Sequence, residues 1–117
     1  MHDFRRLHVW QSSRELAIAI DALTRRFPRA DRGVIAGQLR RAVLSVPANI
    51  AEGCGKSSRK ETVRFLQIAS GSALEAESHL LIAADLGYLS TSAREDLTGQ
   101  LKAIQRMLIA LMNKLPA

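Results

Sequence analysis

The spacing of apolar residues near the end of this 117-residue chain restricts its fold more than any other feature of the sequence. The recurring residues, at alternating steps of four and three, are Leu97, Leu101, Ile104, Leu108, Leu111 and Leu115. Because an α-helix turns once in about 3.6 residues, this spacing places all of them on one stripe. The stripe predicts a helix that packs at a shallow angle against neighbouring helices.

Three earlier segments show the same helical spacing. The first contains Leu16, Ile20, Leu23 and Phe27, and the second contains Ile35, Leu39, Ala42, Val46 and Ile50. A capping box, Ser58-Arg59-Lys60-Glu61, begins the third segment, Gly87 follows its end, and a second box, Ser92-Ala93-Arg94-Glu95, begins the fourth. The sequence therefore predicts helices at about 9–27, 32–53, 58–86 and 92–115.

The short connections between these segments predict how the helices are arranged. Long helices that are joined by a few residues fold back on one another as antiparallel neighbours. An aromatic fraction of only 4% and just three prolines also favour helices over sheets. We expect an all-α protein, an antiparallel up-down-up-down four-helix bundle that residues 1–117 form as a single domain.

A proline lies inside the second predicted helix. Pro47 removes one backbone donor, which in a helix interior costs on the order of 3 kcal/mol. Asn49 and Glu52 follow it within the same apolar segment, where unpaired polar groups are also destabilising. We expect the second helix to bend at Pro47, and we expect these polar side chains to have partners.

Polar residues interrupt the apolar stripes of the second and third helices at helical spacing. On the third helix the predicted core stripe is Phe65, Ile68, Ser72, Glu75, His79, Ile82 and Leu86. We expect the polar residues of the two helices to face one another, with Arg41 as the cation for the carboxylates. The predicted network, which would fix the register of the helices or of an assembly, is Arg41, Ser45, Asn49, Glu52, Ser72, Glu75 and His79.

A metal or catalytic site is an alternative interpretation of the same polar residues. Glu75-x-x-x-His79, with Glu52 from a facing helix, would supply three metal ligands or an acid and a base. Metal-binding carboxylate bundles, however, use Glu-x-x-His at i and i+3 on two helices, and this sequence lacks that motif. We therefore expect no catalytic residue, no metal and no cofactor, and we predict that the protein is not an enzyme.

The charge of the chain is positive and unevenly distributed. The net charge is +6 and the sequence pI is about 10.4, which favours partners with many negative charges. Residues 1–64 contain 13 Lys or Arg against 6 Asp or Glu, whereas residues 65–117 contain 4 against 5. The excess of positive charge therefore lies in the first half of the chain.

Two clusters of basic residues are the strongest functional signal from the residues themselves. The candidate nucleic-acid-binding residues are Arg25, Arg26, Arg29 and Arg32 in one cluster and Lys56, Arg59, Lys60 and Arg64 in the other, with Arg40 on the second helix as a further candidate. Whether Arg40 and Arg41 face the core or the surface stays open in the sequence. The alternation of helix directions predicts that these clusters lie at opposite ends of the bundle. Because few aromatic residues are available for base stacking, we expect phosphate contacts, little sequence preference and strong weakening by salt.

One cysteine, Cys54, allows no internal disulfide and suits a reducing compartment. The N-terminal residues do not resemble a signal peptide, and no apolar run approaches the roughly 18–20 residues that a membrane span needs. We expect a cytoplasmic protein with no membrane partner.

Five short motifs, in this order along the chain, point to a known family. They are Leu7-His8-Val9-Trp10, Gln38-Leu39-Arg40-Arg41-Ala42, Ser45-Val46-Pro47-Ala48-Asn49-Ile50-Ala51-Glu52-Gly53, Ala69-Ser70-Gly71-Ser72-Ala73-Leu74-Glu75 and Ala84-Asp85-Leu86-Gly87-Tyr88. Through them, residues from about 4 to 112 resemble the four-helix-bundle family named after proteins encoded in intervening sequences of 23S ribosomal RNA genes. That family is similar to the accessory variability protein of diversity-generating retroelements, a basic pentameric bundle that binds nucleic acid and a reverse transcriptase. The resemblance implies a bundle and a homo-oligomer, a ring of five subunits, and it does not imply catalysis.

Two functions remain open at this point. In the first, the protein is a basic oligomeric adaptor or scaffold that binds RNA or DNA through phosphates. In the second, it is a structural or protein-interaction ring whose positive charges only keep it soluble. Binding of nucleic acid beyond that of a control protein of equal charge would separate the two hypotheses.

Overall fold

Four α-helices form most of the protein in the computed structural model, which describes residues 3–31 and 33–116. They are α1 (His8–Thr24), α2 (Val34–Cys54), α3 (Arg59–Asp85) and α4 (Thr91–Lys114). Single 3-10 turns lie at Phe4–Arg6 and Arg29–Asp31, and neither described range contains a strand. The prediction of an all-α fold with four helices is confirmed.

α1 ends earlier than its sequence pattern predicts. Its last residue is Thr24, and the N–H groups of Arg26 and Phe27 then bond to carbonyls three residues back, as in a 3-10 turn. The residue before a proline disfavours helical backbone, so Phe27-Pro28 ends the helix before its last predicted apolar residue. The short link to α2 begins there.

Serine hydroxyls cap the starts of α3 and α4. Ser58 accepts a hydrogen bond from the N–H of Glu61 at 3.2 Å, as its capping box predicts. The second predicted box is displaced, because Ser90 and not Ser92 is the N-cap of α4 and accepts from the N–H of Ala93 at 3.1 Å. α4 therefore begins at Thr91.

A buried carboxylate caps the start of α2. Both oxygens of Asp31 accept backbone hydrogen bonds, from Ile35 at 3.0 Å and from Ala36 at 3.1 Å. Asp31 lies outside the helix, and Gly33, with φ of +78°, turns the chain so that the carboxylate reaches these orphan amides. Asp31 therefore satisfies two backbone amides at the start of α2 from outside the helix.

The hydrophobic core lies along the axis of the bundle and contains side chains from every helix. Its largest fully buried members are Ile20, Leu39, Ile50, Leu66, Leu80, Leu101, Ile104 and Leu108. The leucine and isoleucine stripe of α4 is buried as far as Leu108, as its spacing predicts. No helix in the described part of the chain is long and apolar enough to cross a membrane.

The predicted core stripe of α3 is wrong. Ile68, Ile82 and Leu86 are 40%, 43% and 54% exposed. Small residues take their place in the core, and those with no exposed surface are Ala69, Ala73, Ala76 and Ala83. Hydrophobicity favours isoleucine and leucine over alanine, but alanine allows the helix backbones to approach closely. The spacing of the large residues therefore selected the wrong side of this helix.

α2 and α3 run antiparallel and in close contact. Ser45 on α2 is hydrogen bonded to Ser72 on α3, while Gly53, later on α2, accepts from the hydroxyl of Thr62, earlier on α3. A Cβ atom on Gly53 would lie 3.1 Å from Cβ of Phe65 and 3.3 Å from the Thr62 carbonyl oxygen. Glycine is therefore the residue that this contact allows without a shift of α3.

Contacts beyond this pair define the two ends of the bundle. At one end, Lys56, Ser58 and Leu115 border the same hollow, so the end of α2 and the start of α3 meet the end of α4. At the other end, the ring of Phe27 lies 5.2 Å from the ring of Tyr88, which joins the end of α1 to the end of α3. Pro47 is buried inside α2; the bend there and the alternation of all four helix directions stay predictions.

Candidate nucleic-acid interface

Four basic side chains lie in the link between α2 and α3 and on the first turns of α3. We call them the helix-3 patch, which consists of Lys56, Arg59, Lys60 and Arg64. Arg59, Lys60 and Arg64 are exposed on the first turns of α3, and Lys56 is half-buried in the link before it. The end of a helix and a tight link thus place all four cations at one end of the bundle. The residues predicted in this cluster are brought together.

Phe65 positions two of these cations. The Lys56 ammonium nitrogen lies 5.0 Å from the centroid of the Phe65 ring, and Cζ of Arg64 lies 4.6 Å from it. The ring itself is only 8% exposed, because it packs where α3 meets α2. A fixed aromatic ring therefore restricts two long side chains that would otherwise be free in solution.

Little negative charge offsets the helix-3 patch. Glu61 lies within it and accepts a hydrogen bond from Arg64 at 3.4 Å. Both side chains of this ion pair are exposed, so water and salt screen it and its contribution is small. Around the patch, a hollow of about 200 Å³ borders Lys56 and Arg59, and an open groove of about 550 Å³ borders Arg59, Lys60 and Arg64 together with Glu61. Anionic groups have room to reach these cations.

The other predicted cluster contributes Arg25, Arg26 and Arg29 among the described residues, and Arg40 borders the same hollow as Arg29. We call these four residues the helix-1 patch. Arg32, predicted in this cluster, lies outside the described residues. Arg26 and Arg29 are exposed, whereas Arg40 is half-buried and donates to the hydroxyl of Thr24 at 3.0 Å.

Carboxylates lie among the cations of the helix-1 patch. Arg25 forms an ion pair with Asp21 at 3.1 Å. Asp31, the cap of α2, borders the same hollow of about 460 Å³ as Arg29 and Arg40. A phosphate in that hollow would meet a carboxylate as well as two guanidinium groups, which weakens its attraction.

Part of the predicted polar network exists. The hydroxyl of Ser72 donates to that of Ser45 at 2.9 Å across the contact between α3 and α2. Asn49 donates from its amide nitrogen to the carbonyl and the hydroxyl of Ser45, at 2.8 and 2.9 Å. These three half-buried residues link the two helices near their middle, in agreement with a register-fixing role.

The other predicted members of the network are not joined to it. Arg41 and Glu52 are exposed, and Glu75 pairs instead with His79 on its own helix, at 3.2 Å. Since a helix turns by about 100° per residue, Arg41 lies about 40° from Ser45 on the side away from the core. The prediction that Arg41 faces the carboxylates is wrong, and Arg40 is the arginine that turns inward.

The alternative metal site has no support from a cluster of ligands. Within residues 3–31 and 33–116, no group of three or more His, Cys, Asp and Glu side chains is close enough to hold a metal ion. Of the three predicted ligands, only Glu75 and His79 contact one another in the described part of the chain.

Sequence reasoning missed an aromatic and arginine cluster at the start of α1. The Phe4 and Trp10 rings meet edge to face with centroids 5.0 Å apart. Cζ of Arg14 lies 5.1 Å from the Trp10 centroid, and Cζ of Arg5 lies 4.6 Å from that of Phe4. The spacing of Trp10 and Arg14, four residues apart on one helix, is the sequence signal that indicates this contact.

This cluster lies at the same end of the bundle as the helix-3 patch. The 3-10 turn Phe4–Arg6 contacts α2. Burial raises the pKa of the Cys54 thiol, the last residue of α2, and the nearby carboxylate of Asp3 adds to that rise. Asp3, which precedes the turn, is therefore close to the end of α2 and to the link that contains Lys56.

Exposed large apolar side chains lie on both α2 and α3. On α2 Leu44 is 58% exposed, and on α3 Ile68, Ile82 and Leu86 are exposed within about 40° of one another around the helix. We call these four residues the α2–α3 face. Exposed large apolar side chains of this kind are candidates for burial where proteins associate.

Comparisons with known proteins agree with this architecture. A family model described as 23S rRNA-intervening sequence protein matches residues 5–110. The chain is also similar to a crystal structure of a protein of unknown function from the S23 ribosomal protein family of Bacteroides thetaiotaomicron, with 27% identity and a TM-score of 0.82. That alignment covers 91% of this chain and 99% of the other. No curated protein matches the chain significantly.

Proposed function

We propose, from the premise that this chain belongs to the 23S rRNA-intervening sequence protein family, that it is a non-catalytic, oligomeric adaptor or scaffold in the cytoplasm that binds RNA or DNA through phosphates. The observation that supports the proposal most is the helix-3 patch, which has four cations and one carboxylate, Glu61, paired with Arg64. A concentrated positive surface attracts polyanions and releases their bound counterions on binding.

The chemistry of the patch suits phosphate better than base edges. Arg59 and Lys60 are exposed on the first turn of α3, where the amide dipoles of the helix also favour an anion. Guanidinium groups bind phosphate oxygens with paired donors, and lysine acts as a mobile point charge. Contacts of this kind position a nucleic-acid backbone without reading its sequence.

The α2–α3 face supports self-association as part of the same proposal. Leu44, Ile68, Ile82 and Leu86 would be covered where subunits meet. We propose a homopentamer, the assembly that the family resemblance implies, in which the helix-3 patch repeats around the ring. Light scattering should give five times the mass of the 12.9 kDa chain, and a monomeric mass would contradict this part of the proposal.

The α2–α3 face also favours the second candidate function, a structural or protein-interaction ring. An apolar surface on α2 and α3 is independent of the basic patches, so it would serve an assembly that binds no nucleic acid. That candidate predicts a stable oligomer whose affinity for RNA equals that of a control protein with the same charge.

Binding measured against salt tests the proposed function. We would compare Arg59→Gln, Lys60→Gln and Arg64→Gln combined with a control of the same charge change on α4, Arg94→Gln, Lys102→Gln and Arg106→Gln. Each lost phosphate contact lowers the slope of log affinity against log salt by about 0.7–0.9. The helix-3 variant should therefore lose about two to three units of slope, and the control should keep the wild-type slope.

Two results would overturn the proposed function. Equal losses in the two triple variants would mean that only net charge matters. Affinity for RNA that is insensitive to salt would exclude phosphate contacts as the mechanism. Melting curves of both variants would show that the fold is retained, since all substituted side chains lie on the surface or are only half-buried.

A further inference from the structure

We propose that the aromatic and arginine cluster at the start of α1 is a stacking site for an unpaired nucleobase of a single strand. The cluster consists of Phe4, Arg5, Trp10 and Arg14. The inference rests on the proposed function, because it gives a role to a base whose phosphates the helix-3 patch binds.

The two rings are held in fixed positions. Trp10 and Phe4 both pack against the hydrophobic core, and each remains partly exposed. The 3-10 turn that contains Phe4 is fastened at both sides: Asp3 accepts from the N–H of Arg5 at 3.1 Å, and the amide of Gln11 donates to the Arg5 carbonyl at 2.8 Å. A rigid aromatic surface loses little conformational entropy when a base stacks on it.

An open hollow gives access to these rings. It measures about 370 Å³, and its lining is Phe4, Arg5, Trp10, Gln11, Arg14 and Glu15. Two guanidinium groups and one carboxylate line the hollow, so its positive charge is offset more than that of the helix-3 patch, which has four cations and one carboxylate, Glu61. A neutral aromatic base is not repelled by Glu15 as a phosphate would be, so the hollow suits a base better than a phosphate.

A base can displace an arginine from an aromatic ring, and the displaced guanidinium group can still bind phosphate. Arg14 is exposed and covers the Trp10 ring at 5.1 Å, a cation–π contact that is weak at exposed sites. Base stacking on an aromatic ring is stronger than such a contact. A base can therefore take the place of Arg14 on the ring, while the guanidinium group turns to the adjoining phosphate or stacks on the base.

The position of the cluster agrees with this role. The 3-10 turn that contains Phe4 contacts α2, and because Arg40 near the start of α2 bonds to Thr24 at the end of α1, the start of α1 lies toward the end of α2 and Lys56. Bases stacked on aromatic side chains beside a basic groove are the common arrangement in proteins that bind single strands without sequence preference. We infer that this end of the bundle binds the backbone on α3 and a splayed base on α1.

Trp10 is the only tryptophan in the chain, so its fluorescence reports on this site alone. The wild-type protein would be titrated with an oligothymidylate of about ten nucleotides, a length within the usual range of single-strand sites. An abasic oligomer of the same length, with the same phosphates and no bases, is the control. We expect the thymidylate to quench Trp10 and to bind about tenfold more tightly than the abasic oligomer.

Trp10→Leu tests the assignment of the residue, and Phe27→Leu, at the opposite end of the bundle, is its matched control. Trp10→Leu should lower the affinity for thymidylate about tenfold and leave that for the abasic oligomer unchanged, whereas Phe27→Leu should change neither. If Trp10→Leu fails to fold, the two titrations of the wild-type protein still decide.

The outcomes separate this inference from the proposed function. Equal, salt-sensitive binding of both oligomers with unchanged Trp10 fluorescence would overturn the stacking site and leave phosphate binding intact. Absence of binding to either oligomer at low salt would overturn the proposed function, and the stacking site with it.

Discussion

The two basic patches have the same number of cations among the described residues but different surroundings. In the helix-3 patch, Glu61 is the one carboxylate that the described contacts show; it pairs with Arg64 and borders the groove beside Arg59 and Lys60. In the helix-1 patch there are two carboxylates: Asp21 pairs with Arg25 in an equally exposed contact, and Asp31 shares a hollow with Arg29 and Arg40. In the sequence the two clusters contain equal numbers of cations. In the structure, nearby carboxylates offset the positive charge of the helix-1 patch more than that of the helix-3 patch.

The difference between the patches arises from what each end of the bundle requires. The link between α1 and α2 needs a cap, and Asp31 supplies it by binding two backbone amides. At the other end, Ser58, a neutral residue, caps α3, so no charge is added beside the cations. A structural requirement for a carboxylate therefore lowers the positive potential at one end only.

The largest effect on the helix-3 patch should come from disturbing the contact between α2 and α3 that positions it. Gly53→Ala would place a Cβ atom 3.1 Å from Cβ of Phe65, whose ring contacts Lys56 and Arg64. We expect a loss of about 2 kcal/mol in the free energy of unfolding, typical of an overpacked contact. Urea unfolding measures it.

Gly37→Ala, on the same helix, is the matched control for Gly53→Ala. A Cβ atom there meets nothing within 4 Å, and alanine favours helix more than glycine does. The control should gain up to about 1 kcal/mol. Equal effects at the two glycines would mean that helix propensity, and not the close contact at Gly53, sets the stability.

Asp31→Asn would make the two patches more alike. The amide keeps one acceptor oxygen for Ile35 or Ala36 but removes the negative charge from the start of α2. We expect a loss of about 1 kcal/mol in the free energy of unfolding, together with a gain in affinity for RNA at low salt. Asp85→Asn, the same change on an exposed side chain at the end of α3, should not destabilise the protein.

An unchanged affinity in the Asp31 variant would contradict the idea that this carboxylate weakens the helix-1 patch. An unchanged stability would contradict its role as the cap of α2. Because the two measurements are independent, each part of the explanation can fail separately.

Neutralising the helix-1 patch should give the smallest effect. Arg25→Gln, Arg26→Gln and Arg29→Gln combined remove three charges, as in the triple variant of the helix-3 patch. We expect the affinity for RNA to fall only about twofold, because two carboxylates, Asp21 and Asp31, already offset the positive charge of this patch. Filter binding at low salt measures it, and equal losses in both triple variants would mean that the patches are equivalent.

The sequence predicts the fold well because its signals for helices are local. Ser58 and Gly87 mark the ends of α3, and the φ of +82° at Gly87 is the left-handed conformation that its position predicts. Tyr88 donates to the carbonyl of Ala83, which completes that helix end. Such signals depend on neighbours in the sequence alone and need no knowledge of the packing.

The candidate sites depend on distant neighbours and are only partly predictable. Ser45, Asn49 and Ser72 meet as expected, but Arg41 and Glu52 lie outside their contact by a fraction of a helical turn. Packing determines which side of a helix faces its neighbour. On α3 the buried side contains alanines, whose low hydrophobicity does not identify it as the core side in the sequence. Likewise, the proximity of carboxylates to the basic residues follows from how the ends of the helices pack together, which the sequence does not specify.

The alanine seam of α3 has a consequence for how this protein tolerates sequence change. Alanine has no rotamers to restrict, so α3 docks at little side-chain entropic cost. Ala69, Ala73, Ala76 and Ala83 have no exposed surface. A smaller side chain at these positions removes little packed volume, whereas a larger one has no space to occupy. In relatives, these positions should therefore contain glycine or serine more often than valine or leucine. A leucine-rich core, by contrast, tolerates exchange among large apolar residues.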